Sequence, residues 1–268
     1  MDLSTPLGLC VALCGVIIAV TWGLSVLTRE YSWVDRIWSV APAAYAWIYV
    51  ADAPSPRVIL MASLVTLWGA RLTFNYARKG GYAKGGEDYR WAVLRERLGP
   101  AWFQVFNATF IAPYQNALIL LFTLPIHVAW QAGDHPLGPL DALCALGFVA
   151  MLTLETVADQ QQWRFHQDKA ARKARGGLVD PPFLTTGLFR WSRHPNFFAE
   201  QAIWWCFYGF VLAVGAGPLH PAITGTVLLT LLFQGSTAFT EKITLGKYPS
   251  YARYQATTSR LIPLPPRS

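Results

Sequence analysis

The sequence predicts an all-α integral membrane protein with seven transmembrane helices, its N-terminus outside and its C-terminus in the cytosol. Three observations predict it. Hydrophobic residues make up 53% of the 268-residue chain and charged residues only 14%, too little polar surface for an ordinary water-soluble domain. Seven stretches approach the roughly 20 apolar residues that a hydrocarbon core of about 30 Å demands. Every Lys and Arg except Arg57 falls in or beside connections that alternate helices place on one face, the face that the positive-inside rule assigns to the cytosol.

The first stretch, residues 7–28, has no basic residue before it and an apolar run longer than a signal core, so it reads as a retained helix. The second, 33–51, opens with "YSWVDRIWSV" and the third covers 57–77. Between the third and the fourth (103–130) lies "RKGGYAKGGEDYRW" (78–91), which lacks phosphate-loop spacing and reads as a flexible cytosolic connection. Its surroundings carry Arg78, Lys79, Lys84, Arg90, Arg95 and Arg97. The fifth helix, 139–163, leads into a second basic link with Lys169, Arg172, Lys173 and Arg175. The sixth and seventh, 196–215 and 219–240, precede a basic tail. The opposite loops "GDHPLGP" (133–139) and "GAGPLHP" (215–221) contain neither Lys nor Arg. The net charge of +7 therefore requires no nucleic acid, although a basic face also attracts anionic lipid or a phosphorylated cofactor. Cys10, Cys14, Cys144 and Cys206 all lie in apolar segments, so a disulfide framework or thiolate zinc site is not expected and no metal is assigned. The whole chain, 1–268, reads as one membrane domain.

Charge inside a bilayer costs several kcal/mol or more and persists where it faces a bundle interior, a cavity or a partner. Five carboxylates sit in or at the ends of apolar segments: Asp35, Glu155, Asp159, Glu200 and Glu241. The predicted topology puts all five toward the cytosolic ends of their helices. Glu155 and Asp159 are four residues apart, as are Asn196 and Glu200, so each pair projects from one helical face. Arg193 and His194 stand just before Pro195, a residue suited to a first helical turn. Carboxylates and amides for hydroxyls, with arginines and a helix start for phosphates, suit a bulky anionic ligand that carries sugars. The alternative is a set of interface residues pairing among themselves. On the fourth helix, Asn107, Tyr114, Gln115 and Asn116 either tie helices together or line a cavity, Gln115 being the expected liner. Trp38 and Tyr45 are among the aromatics suited to wall a flat apolar substrate. His194 reads as a cofactor contact or helix-start residue rather than a catalytic base, and His166 as a further cofactor contact.

"GLFRWSRHPNFFAE" (187–200) followed by "EKITLGKYPSYARYQATTSRLIPLPP" (241–266) resembles the C-terminal region of the steroid 5α-reductases and related membrane reductases. "ETVADQQQWRFHQD" (155–168) and "YSWVDRIWSV" (31–40) are similar to the bacterial branch of that superfamily, catalogued as an uncharacterised domain. The resemblance implies a seven-helix enzyme that binds NADPH and reduces the Δ4 double bond of a 3-oxo-steroid or similar enone lipid. It implies that helices one to four mainly enclose substrate and that residues from about 140 to 268 mainly hold cofactor. Cofactor contacts implied or expected are Glu155, Asp159, Arg164, His166, Arg193, His194, Asn196, Glu200, Glu241, Lys247, Tyr248 and Tyr251. Where the steroid enzymes have Gln-Glu early in the second helix, this chain has "DRIW", which puts Asp35 in the carbonyl-polarising role; their tyrosine on the next helix falls near Trp68. Isoprenylcysteine carboxyl methyltransferases resemble the same Arg-His-Pro segment and tail and use S-adenosylmethionine, which is the alternative reading. They carry paired glutamates where this chain has Glu241 then Lys242, and a base there favours the more anionic cofactor.

Enone reduction needs a hydride donor over the β-carbon and a hydrogen-bond donor at the ketone oxygen, where negative charge develops. Asp35 serves only if protonated, a form that burial in an apolar helix bundle favours, whereas Arg36 and Arg71 would favour its carboxylate. In that case it orients another donor, with Tyr45, Tyr114 and Trp68 the candidates. The expected compartment is a bacterial inner membrane, or the endoplasmic reticulum in a eukaryote.

Overall fold

The computed structural model describes residues 2–267. Helices account for 74% of the described residues, and no strand occurs among them. Among the described residues, five helical stretches are long and apolar enough to cross a membrane: Pro6–Thr28, Pro56–Arg78, Tyr89–Gln131, Pro139–Ala174 and Ile223–Lys247. The chain is thus a multi-pass membrane protein. It divides into two compact units, one of Met1–Ala145 with Cys206–Leu229, the other of Leu146–Trp205 with Thr230–Ser268.

In the first unit, α1 (Pro6–Thr28) starts where Thr5 Oγ1 accepts from Gly8 N at 3.1 Å and Pro6 occupies the first turn, a position whose N–H has no helical partner anyway. The expected second helix is broken. A short α2 (Trp33–Ile37) is followed by α3 (Ala41–Asp52), because Pro42 has no N–H for the carbonyl of residue 38 and its ring crowds that oxygen. Ser55 and Pro56 start α4 (Pro56–Arg78) in the same way as α1.

The connection expected to be flexible is pinned instead. Arg36 Nε donates to the carbonyl of Gly81 at 3.2 Å, Tyr82 OH donates to the carbonyl of Arg36 at 3.0 Å, and Gly85 N donates to Glu30 Oε1 at 3.0 Å. Asp88 N bonds Ser32 Oγ at 3.0 Å, and Tyr31 N bonds Glu87 Oε1 at 2.7 Å. These two contacts hold the segment against the turn before α2. The Gly85 bond, with Arg36 beside it, keeps the Glu30 carboxyl below its ordinary pKa.

The fourth expected helix starts earlier and changes type. α5 (Tyr89–Phe106) is kinked at Gly99, whose φ of 74° precedes Pro100; only glycine takes that conformation without strain. Asn107–Tyr114 is π-helical and contains Pro113, the wider turn relieving the clash that proline makes in an α-helix. Asn116 Nδ2 donates to the carbonyl of Ala112 at 2.8 Å. α6 (Gln115–Thr123) and α7 (Pro125–Gln131) complete the run. The core between these helices contains Tyr45, Tyr49, Met61, Trp68, Phe103 and Phe122, all almost fully buried.

Arg57, the one base on the wrong side of the charge pattern, is not facing lipid. Its Nε and Nη2 meet Asp141 Oδ1 and Oδ2 at 2.7 and 2.8 Å, with both side chains 2% exposed. Fork-to-fork geometry of this kind is the strong form of an ion pair.

The second unit takes the later part of α8 (Pro139–Ala174) and the start of α9 (Pro195–Ala213). To these it adds the later part of α10 (Ile223–Lys247), then α11 (Tyr251–Thr257) and the tail. At 36 residues α8 far exceeds the roughly 20 needed to span, and its last turns are exposed and polar. The tail is part of the fold. Arg193 N and His194 N donate to the carbonyls of Ser259 and Arg260 at 2.8 and 3.1 Å, and Leu264 N donates to that of Trp191 at 2.9 Å.

Candidate functional site

The second unit gathers most of the expected cofactor residues into buried polar groups. On α8, Glu155 and Asp159 are 5% and 4% exposed; on α9, Glu200 is 5% exposed. The four-residue spacing does what helical geometry requires: Asn196 Nδ2 on α9 reaches Asp159 Oδ1 on α8 at 3.4 Å. Glu200 Oε1 accepts from Trp204 Nε1, one turn further along α9, at 3.1 Å. A carboxylate accepts but cannot donate, so this face of α8 and α9 is built for donors: hydroxyls, amides and indoles.

A second group centres on Glu241. Arg193 Nε and Nη2 donate to its two oxygens at 2.6 and 3.0 Å, and His194 Nε2 lies 3.0 Å from Oε1. Tyr251 OH bonds the same Oε1 at 3.3 Å, and Gln255 Nε2 bonds Oε2 at 2.9 Å. Arg193 Nη1 also donates to the carbonyls of Gln255 and Thr258. Four expected residues therefore meet at one carboxylate, but they meet each other. Glu241 fastens the Arg-His-Pro turn and α11 to the end of α10. Gln255 was not legible in advance, though its position one helical turn after Tyr251 is a signal that periodicity offers. Burial pushes the Tyr251 and Tyr254 phenols above their ordinary range, which keeps both as donors.

The third group lies at the surface. Lys169 Nζ on α8 donates to Tyr248 OH at 3.4 Å and to the carbonyl of Pro182, and Lys247 sits over the Tyr248 ring at 5.5 Å. Phe183 packs edge-on against Tyr251 at 5.0 Å and is tilted against Tyr248 at 6.3 Å. Arg164 and His166 occupy the exposed end of α8, where the His166 ring meets Phe165 edge-on at 5.7 Å.

In the first unit Asp35 Oδ2 accepts from Trp91 Nε1 at 3.2 Å. Arg36, expected to bias it, is committed to Glu30 at 2.7 Å; the charges beside Asp35 are those of Asp88 and Arg90. Those two pair through a fork, Arg90 Nη2 to Asp88 Oδ2 at 2.7 Å. Trp68 is fully buried on α4. Tyr114 ends the π-helical turn, stacked on Phe110 at 4.9 Å, and Trp38 is tilted against Phe122 at 6.0 Å. Tyr45 is fully buried on α3, and Gln115 is 5% exposed on α6 with no hydrogen-bond partner for Nε2 among the described residues. Such a donor buried without a partner costs about 1–3 kcal/mol, and this suits a position that lines a ligand cavity. The π-helical turn was invisible in the sequence, and π-bulges are frequent at functional sites.

Residues 21–258 match the family described as "Protein of unknown function (DUF1295)". The chain belongs to the DUF1295 family. That family is related to the steroid 5α-reductase-like proteins. The chain is 40% identical over 263 residues to an uncharacterized protein of Schizosaccharomyces pombe, covering 91% of this chain and 76% of the relative. No solved structure matches this DUF1295 protein.

Proposed function

We propose that this DUF1295 protein is a membrane-embedded NADPH-dependent reductase that transfers a hydride to the Δ4 double bond of a 3-oxo-steroid or similar enone lipid. In this reading seven segments cross the bilayer, α2–α3 and α9 joining the five long stretches, with the C-terminus cytosolic. The observation that carries it is the Asn196–Asp159 hydrogen bond between α9 and α8, which unites the two polar faces bearing Glu155 and Glu200. Burying carboxylates costs several kcal/mol each unless they are paired or hydrogen-bonded, and a ligand rich in hydroxyls and amides is what such acceptors serve.

The residues present fit that ligand. Glu155, Asp159, Asn196 and Glu200 would hold the ribose and carboxamide groups of the dinucleotide, and lysines at the end of α8 and α10 would meet its phosphates. When bound, NADPH supplies the hydride. The chain's own residues do the rest. Glu241 fixes Arg193 and His194 in place, so the turn into α9 is rigid before any ligand arrives. Asp35, Trp68 and Tyr114 are the groups proposed to hydrogen-bond the ketone oxygen as it gains charge, Trp68 through its indole N–H. A proton at the α-carbon completes the saturated ketone.

The test is turnover in mild detergent with NADPH and testosterone or progesterone. Loss of reduced-nicotinamide absorbance, with a product heavier than substrate by one H2, supports the reading. Absence of oxidation, with methyl transfer from S-adenosylmethionine to a lipid or prenylated acceptor instead, replaces it with the methyltransferase alternative.

A further inference from the structure

Two ammonium groups converge on one phenol in the second unit. Lys169 Nζ lies 5.0 Å from the Tyr248 ring centre and 3.4 Å from its hydroxyl, and Lys247 Nζ lies 5.5 Å from the same ring. Lys169 comes from the end of α8 and Lys247 is the last residue of α10, so helices distant in sequence bring the charges together. Among the described residues no carboxylate forms an ion pair with either lysine. Two buried acids of the same unit are committed elsewhere: Glu241 to Arg193 and His194, Asp159 to Asn196.

Lys169 is also held in place. It is half-buried, donates to the carbonyl of Pro182, and lies 5.9 Å from the Phe165 ring. A lysine that only needed water would extend from the exposed end of α8, as Arg172 and Lys173 do. Two like charges held near each other repel, by about 1 kcal/mol in water at 4 Å and more as water is displaced. The positive potential is felt by the phenol. Burial works against ionisation of Tyr248, yet the Lys169 hydrogen bond and the two ammonium charges bring it below its ordinary pKa. A tetrahedral oxyanion relieves this arrangement, accepting from two ammonium groups and a phenolic O–H at once.

The geometry points to a phosphate-monoester subsite formed by Lys169, Lys247 and Tyr248, which takes the 2′-phosphate that distinguishes NADPH from NADH. This rests on the reductase reading and deepens it: the subsite sets the nucleotide preference, while the buried carboxylates bind what the two nucleotides share. Lys169 is the new residue, and nothing in the sequence motifs marks it out from the other bases of its link.

Equilibrium binding of NADPH and of NADH to the full-length protein in detergent tests it, for wild type, Lys169→Met, Lys247→Met and Lys169→Arg. The expected result is a wild-type preference for NADPH that falls about tenfold or more in each Met variant, mainly through weaker NADPH binding, with Lys169→Arg retaining most of it. A preference unchanged in Lys169→Met, or equal losses for both nucleotides, overturns the subsite and leaves the reductase reading standing. Wild-type protein that binds neither nucleotide overturns both.

Discussion

Arg193 and Glu241 form a two-point ion pair, Nε to Oε1 at 2.6 Å and Nη2 to Oε2 at 3.0 Å, with side chains 9% and 7% exposed. The pair joins the turn before α9 to the end of α10, and through Tyr251 and Gln255 it also holds α11. Glu241 thereby becomes a positioning residue for the proposed cofactor site.

Removing one partner of a buried pair leaves the other charge unsatisfied, which costs about 3–5 kcal/mol. Glu241→Ala should therefore lower the melting temperature markedly and expose the C-terminal tail to protease. Glu241→Gln should do less harm, because the amide still accepts a hydrogen bond from Arg193. Equal stability of wild type and Glu241→Ala would show that the pair contributes little.

Arg57 and Asp141 make the same argument on the other side of the charge pattern. Arg57→Met or Asp141→Leu alone should each destabilise by about 3–5 kcal/mol, whereas the double substitution should recover much of the loss, since apolar replacements of a whole buried pair are often tolerated. Thermal unfolding of the two single variants and the double variant measures this. Additive losses would mean the two side chains act independently.

These two pairs also show what the sequence could reveal. Arg57 was conspicuous as an exception to the basic pattern, but no local spacing points from residue 57 to residue 141; only the fold brings α4 and α8 together there. By contrast, Asn196 and Asp159 were legible, because period-3.6 spacing already put each on a single face with a carboxylate. The chain's helical character followed from apolar runs long enough to span a bilayer. The break between α2 and α3 and the π-helical turn were missed although Pro42 and Pro113 stood in plain view: a proline permits several local solutions, and tertiary packing selects among them. The glycine-rich link was misjudged for a related reason. Its glycines supply turns, while its order comes from Glu30, Ser32 and Arg36, far away in sequence.

Gly99 offers a direct check on the kink. Its φ of 74° with a ψ of 164° is a conformation essentially reserved for glycine and costs a residue bearing a Cβ about 1–3 kcal/mol, so Gly99→Ala should lower stability by roughly that amount. The Gly99→Asn variant should lose about as much, since a ψ of 164° lies outside the left-handed helical region that asparagine tolerates. If alanine and asparagine are equally harmless by thermal unfolding, the chain does not kink there.

Asp35 and the α8–α9 groups should separate kinetically. Asp35→Asn should depress turnover more than cofactor affinity, whereas Asn196→Ala and Glu200→Gln should weaken NADPH binding while the protein stays folded. A hydrogen bond to a charged group contributes about 1.5–3 kcal/mol, so about a tenfold to hundredfold loss of affinity is expected. Steady-state kinetics alongside circular dichroism measures both. Collapse of the fold in all three variants would make them structural residues.

Binding of a reduced dinucleotide by the buried carboxylates of α8 and α9 should be visible as ligand-induced stabilisation. Saturation at a hundred times Kd contributes about 2.7 kcal/mol, enough for a clear rise in melting temperature. NADPH should raise the melting temperature of the wild type, S-adenosylmethionine should not, and Glu200→Gln should lose the response. A rise with S-adenosylmethionine and none with NADPH would contradict it.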